Sequence, residues 1–266
     1  MGPEQSTSYA SELPPDWAVV PESVRELAYQ QAMSALAPDV AFKRLRRYFD
    51  PLGAYAAELF NTIPSVSLDE ADRGAANEIT PADLLAVTTL NVPLHPVQVR
   101  QLLFPGPKQR EVQRTLSAIP MQAGLHALPA SARGTGFSDA GALLSAMELL
   151  QIELRTAGPA KSDGGPGSRW VFASKLAARK RPELMPVRDQ VVCKFLQNSP
   201  RLGGQGLGTF RSDIQVFAHL MEQLDVRTQL REMAQRLDAD RGTDGSVTLL
   251  RILDVTLWMA GKHAGF

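Results

Sequence analysis

Apolar side chains return at three- and four-residue spacing along most of the chain, the pattern of one buried face on an α-helix. Val24, Leu27, Ala28, Ala32 and Leu36 predict a first helix over 21–36. A second, over 40–49, stops at Asp50-Pro51, because the ring of Pro51 disfavours helical backbone at the residue before it. Tyr55, Leu59 and Phe60 mark a third over 53–60, and the polar, acidic stretch 64–79 reads as a loop. Thr80-Pro81-Ala82-Asp83 is a sharp helix start: Thr80 can cap, Pro81 suits the first position, and Asp83 favours the positive end of the dipole. His95-Pro96 opens another helix, closed by Pro105-Gly106-Pro107, and 108–119 continues helically. After a loop over 120–137, Ser138 and Asp139 start a long helix carrying Leu143, Leu144, Met147, Leu150 and Leu154. Beyond a glycine-rich connector and the segment 164–195, three helices are predicted over 209–224, 226–237 and 247–262.

Period-two runs are short and β-branched clusters few, so the predicted fold class is all-α, a multi-helix globular bundle. Residues 1–21, rich in Ser, Pro, Glu and Gly around an isolated Trp17, read as a flexible lead-in. Residues 22–266 read as one helical domain with a sub-division near 120–137.

Composition narrows the function classes. Lys and Arg number 28 and Asp and Glu 28, so no global field recruits nucleic acid, and such a partner needs a local basic patch. A lone cysteine, Cys193, excludes an intramolecular disulfide framework and a four-thiolate cluster. His95, His126, His219 and His263 show no metal-ligand spacing, so no metal or other cofactor is implied. No apolar run approaches the roughly 20 residues that span a bilayer, and residues 1–15 lack the order of a signal peptide. No membrane partner is expected, and the cytoplasm is the expected compartment.

The segment 164–195 holds a local basic patch. Gly164-Gly165-Pro166-Gly167 forms a glycine-rich turn leading into a helix, and Met185-Pro186-Val187-Arg188-Asp189 opens the next. A glycine turn at a helix start can bind phosphate oxygens through converging amides. Lys175 and Arg179 lie four apart on one helix face, with Lys180, Arg181, Arg188 and Lys194 close by. The candidate phosphate or nucleic-acid contacts are therefore Gly165, Gly167, Lys175, Arg179, Lys180, Arg181 and Arg188.

These residues resemble the helix-hairpin-helix DNA glycosylase superfamily. Gly167 would match the first glycine of its hairpin, Ala173-Ser174-Lys175 its small-residue helix start, and Asp189 its catalytic aspartate. Arg169 stands where the hairpin has its second glycine. The nucleophilic lysine of bifunctional members falls at about Val171, so the resemblance implies a monofunctional enzyme. Over more of its length the chain is similar to a bacterial family of uncharacterised helical proteins. That resemblance rests on Arg47-Tyr48-Phe49-Asp50-Pro51, Asp83-Leu84-Leu85-Ala86-Val87, Ala173-Ser174-Lys175-Leu176 followed by Arg179-Lys180-Arg181-Pro182, and the closing Leu250-Arg251-Ile252-Leu253-Asp254-Val255 helix with Trp258-Met259. It implies a fold and no activity.

Each singled-out residue also has a structural role open to it. Asp189 can be a capping or first-turn carboxylate paired with Arg188 or Arg179, and Arg179 to Arg181 the cationic end of a helix. Asp254 can pair with Arg251, and Arg47 can reach a buried carboxylate. Trp170 and Trp258 can be core anchors, Cys193 a small buried hydrophobe, and His95 a helix-start residue. Three functions follow: a module binding DNA or another phosphate-bearing partner, a base-excision glycosylase using Asp189, or a structural and protein-interaction module. They part on whether Asp189 lines an open pocket or is closed off by an ion pair.

Overall fold

In a computed structural model, residues 13, 14, 16–53, 55, 57–63, 76–128, 140–158, 167–197, 209–243 and 247–266 are described, and they form twelve α-helices and no strand. The helices are α1 (Glu22–Ala35), α2 (Pro38–Tyr48), α3 (Ala57–Thr62), α4 (Pro81–Thr88), α5 (Pro96–Leu103), α6 (Pro107–Ala118), α7 (Ala140–Thr156), α8 (Gly167–Lys180), α9 (Gln190–Gln197), α10 (Phe210–Glu222), α11 (Leu224–Arg241) and α12 (Leu249–His263). A 3₁₀ turn, Leu125–Ala127, interrupts the stretch predicted as loop.

Local chemistry sets several starts as the sequence predicts. The Thr80 hydroxyl accepts from the Asp83 amide at 3.2 Å, while the Asp83 carboxylate accepts from the Thr80 amide at 3.0 Å. Two orphan amides at the head of α4 are thereby satisfied. His95 caps α5 through Nδ1, which accepts from the Val97 amide at 3.2 Å. Thr209 and Thr248 cap α10 and α12. Elsewhere the boundaries move. α2 begins earlier, at Pro38, because proline at the first helical position lacks only an amide that would have been unpaired. α3 begins later, at Ala57. The helix expected to open at Pro186 opens at Gln190, which leaves Asp189 just before the helix rather than within its first turn. Ser138, Asp139 and Gly165 lie outside the described residues.

α12 is the hub. From Leu250 to Leu257 every residue is buried, polar ones included, so this helix is enclosed on all sides. It packs against α9, α2, α11 and α1. Gly261 sets its approach to α9: a Cβ there would meet Val191 Cγ1 at 2.7 Å and the Val191 carbonyl oxygen at 3.1 Å. A second layer is built on α8, which lies against α7 and α4. The lead-in is anchored at its end: Trp17 is buried edge-on to Phe210, and the Val20 amide donates to Gln215 at 2.9 Å.

Candidate functional site

A cleft of about 750 Å³ opens where α2, α4, α8 and α12 meet the head of α9. Its walls include Tyr48, Tyr55, Leu90, Asn91, Lys175, Asp189, Arg251, Asp254, Trp258 and Lys262.

Lys175 enters from α8. Its ammonium donates to the Leu90 carbonyl at 2.8 Å, just past the C-terminus of α4, where the chain reverses through Asn91 at a φ of 58°. Carbonyls at a helix C-terminus carry partial negative charge and suit a cation. Burial nonetheless lowers the lysine pKa to about 8, against the pull of Asp189.

Asp189 ends a buried loop. Pro182 and Pro186 disfavour helical backbone at Arg181 and Met185, and a buried loop must satisfy its own backbone polar groups. Ser174 staples it to α8, donating to the Pro186 carbonyl at 3.2 Å and accepting from the Arg188 amide at 2.7 Å. Asp189 then caps α9, accepting from the Val192 amide at 3.0 Å. Burial raises its carboxyl pKa, and the amide bond to Val192 and the charge of Lys175 only partly offset this. Asp189 both caps the helix and lines the cleft, and among the described residues no cation forms an ion pair with it.

Asp254 is 3% exposed and accepts from the Val187 amide at 2.8 Å through Oδ2. Its other oxygen is buried without a partner. The pair expected with Arg251 does not form. The Arg251 guanidinium instead donates to the Tyr48 hydroxyl at 2.8 Å and lies over the Phe60 ring at 4.8 Å. Burial pushes the Asp254 carboxyl well above the usual carboxylate range. Tyr48 and Tyr55 stack at 5.6 Å, Trp258 stands edge-on to both, and Lys262 lies over the Trp258 ring at 5.6 Å. Trp258, partly buried, is thus a wall of the cleft as well as a packing residue.

Four other cations of the 164–195 segment turn inward. The Arg179 guanidinium donates to the carbonyls of Phe60 and Ile63 and reaches Asp83 at 3.4 Å. Lys180 pairs with Asp83 at 2.9 Å. Arg181, 0% exposed, donates to the Ile119 carbonyl at 2.8 Å, the Ala76 carbonyl at 3.1 Å and Asn77 at 2.6 Å, and also to Leu116. Arg188 is held by Asp213, at 2.8 Å from its Nε, and its guanidinium lies between Trp170 and Phe210, 5.3 Å from each ring. Lys194 is exposed and Arg47, expected to reach a buried carboxylate, is exposed too. Gly167 is the first residue of α8.

Tyr48, Tyr55, Asn91 and Lys262 carry no site signal in the sequence, and the counterion Asp83 reads there only as a first-turn acid. One faint cue was available: Arg251 and Asp254 on an otherwise apolar helix require buried partners. Among the described residues no group of His, Cys, Asp and Glu could hold a metal ion, and no helix is long and apolar enough to cross a membrane.

The family of unknown function DUF6308 matches residues 41–261. No curated protein and no solved structure matches the chain, so the glycosylase resemblance rests on residues 164–195 alone.

Proposed function

The chain belongs to DUF6308, a family to which no activity is assigned, and we propose that its cleft binds a small phosphate-bearing ligand with a planar ring, of nucleotide type. One observation carries the reading: Lys175, Arg251 and Lys262 converge with three aromatic rings on one cavity of about 750 Å³. That volume lies within the usual range for small-molecule sites. With both its carboxyls shifted toward the neutral form, the cleft favours an anion. Lys175, with a pKa of about 8, is mostly an ammonium at pH 7. The rings of Tyr55 and Trp258, both partly buried in the cleft wall, offer apolar surface for a planar group.

Duplex DNA held by the Gly165–Gly167 turn and by Arg179, Lys180, Arg181 and Arg188 would require those cations to leave internal acceptors. A ligand in the cleft requires no such rearrangement, and it keeps Lys175 as the phosphate contact. Titration with adenosine monophosphate, adenosine and phenyl phosphate, followed by tryptophan fluorescence and calorimetry, tests the reading. The monophosphate should bind, adenosine should bind more weakly, and Lys175→Met should cost the monophosphate about tenfold, as for a lost charge-assisted hydrogen bond. No binding, or no effect of Lys175→Met, would overturn it.

Base excision is a second reading, favoured by the position of Asp189 in the cleft without an ion-pair partner. There its carboxylate would activate water or stabilise the developing cation at an extruded nucleotide. Wild type and Asp189→Asn are compared on duplexes with alkylated, deaminated and oxidised bases. Base release lost in the variant is the expected result, and release from no substrate removes this reading.

A further inference from the structure

Asp254 sits mid-way along helix α12, lines the cleft, and has one carboxyl oxygen that the fold leaves unused. Its Oδ2 is fixed by the Val187 amide at 2.8 Å, which orients the carboxyl group. Its Oδ1 is buried and has no hydrogen-bond partner. Arg251, one turn earlier, turns away to the Tyr48 hydroxyl. Asp254 also forms part of the wall of a smaller cavity of about 180 Å³ beside Phe60 and Arg179, so it stands between two spaces.

A carboxylate in that position, with one amide donor and one bare oxygen, would be a poorly compensated buried charge. A neutral carboxyl group removes the charge and turns the bare oxygen into a donor. We infer that Asp254 is a positioning residue of the cleft, donating the hydrogen of a neutral carboxyl to an acceptor on the ligand's ring, a carbonyl oxygen or an unprotonated ring nitrogen. This rests on the cleft reading above and adds a requirement on the ring.

The charged groups around it are Arg251 and Lys262 on its own helix, Lys175 and Arg179 from α8, and Asp189 at the head of α9, with the Tyr48 phenol from α2. Burial is the largest influence on the Asp254 proton and favours holding it, and Asp189 acts in the same direction. Arg251 and the Val187 amide oppose it. Both carboxyls of the cleft ionised together would repel.

The test compares wild type, Asp254→Asn and Asp254→Val with adenosine monophosphate, whose ring carries nitrogen acceptors, and with phenyl phosphate, whose ring carries none. Infrared difference spectra of wild type minus Asp254→Asn at pH 7 report the carboxyl directly. Asparagine can accept from Val187 and still donate, so it should keep monophosphate affinity within about threefold, whereas valine should lose about tenfold. Phenyl phosphate should be indifferent to both changes, and the wild-type spectrum should contain a neutral-carboxyl carbonyl band. Wild type that binds the monophosphate while asparagine loses as much as valine overturns this inference alone, as does a spectrum lacking the band. Wild type that binds neither phosphate overturns the cleft reading and this inference with it. Should valine fail to fold, the asparagine titration and the band still decide.

Discussion

Lys180 donates to the Asp83 carboxylate at 2.9 Å with the lysine side chain 1% and the aspartate side chain 0% exposed. The same carboxylate caps α4 by accepting from the Thr80 amide, and it draws in Arg179. One residue therefore ends the search of two buried cations for a counter-charge and fixes the start of the helix that carries Leu90 to Lys175. The basic run 179–181 locks α8 to α4 and to the chain around Phe60 and Ile119.

Loss of that carboxylate should be far worse than loss of the cap. Asp83→Asn keeps a side-chain oxygen for the Thr80 amide but removes the counter-charge of two buried cations, a change that costs roughly 3–5 kcal/mol. Thr80→Ala removes only the capping hydroxyl and should cost about 1 kcal/mol. Urea unfolding of the two variants measures both. Equal losses would mean that the ion pairs contribute nothing beyond the cap.

Lys175 should leave a mark on the pH dependence of stability. Its pKa is lowered by burial from 10.5 to about 8 in the folded state. Between those values the unfolded chain binds more protons, so stability rises with pH from about 8 to 10.5, and the penalty is present in full below 8. The full effect is about 3 kcal/mol, from roughly 1.4 kcal/mol per unit. Lys175→Met should remove the rise and be at least as stable as wild type at pH 7. Melting temperatures across pH 7 to 10.5 decide it, and an unchanged profile in the variant would contradict this account.

How much of this was legible in the sequence depends on the distance over which each interaction acts. The caps at Thr80 and His95 are readable because donor and acceptor lie within three residues. The start of α9 was read four residues early because Met185-Pro186 looks like a helix opening. Ser174 and Asp254, from elsewhere in the chain, hold residues 186–188 out of helix instead. Lys180 and Asp83 are 97 positions apart, and no periodicity links them. Charged residues are usually exposed, so Arg181 reads as surface until its carbonyl acceptors on α6 and at Ala76 are seen. Lys175 and Asp189 stand out as part of one basic segment, but the rings opposite them come from α2, α12 and the chain at Tyr55. An aromatic on an amphipathic helix carries no sign of whether its far edge meets core or cavity.

Gly261 marks a close contact between α12 and α9. An added Cβ would press on the Val191 side chain at 2.7 Å, on its carbonyl oxygen at 3.1 Å and on Phe195 Cβ at 3.2 Å. The side chain can move, but the carbonyl is fixed in α9. Gly261→Ala should therefore destabilise by about 1–3 kcal/mol, in the range of core overpacking, despite the better helix propensity of alanine. Because α9 carries Asp189 at its head, the same change should also weaken monophosphate binding. Calorimetric melting and the binding titration on one sample test both parts.

A three-member series at Asp189 separates its cap from any role in the cleft. Asparagine is as good a cap as aspartate, so Asp189→Asn should keep the bond to the Val192 amide and the stability of α9. Asp189→Ala removes the cap and should cost about 1 kcal/mol. The raised carboxyl pKa adds a pH signature. A carboxyl with a raised folded pKa contributes stability that is present in full below its unfolded pKa and is lost as pH rises through the folded value. The asparagine variant should lack that decline, and so should gain on wild type as pH rises from acid toward neutral. If Asp189 serves only as a cap, asparagine will match wild type in ligand affinity and in any base release, and alanine will fall short only in stability. If its charge acts on a ligand, asparagine will fold as well as wild type and lose function. Melting curves across pH 3 to 7, set beside monophosphate binding for all three proteins, distinguish the two outcomes.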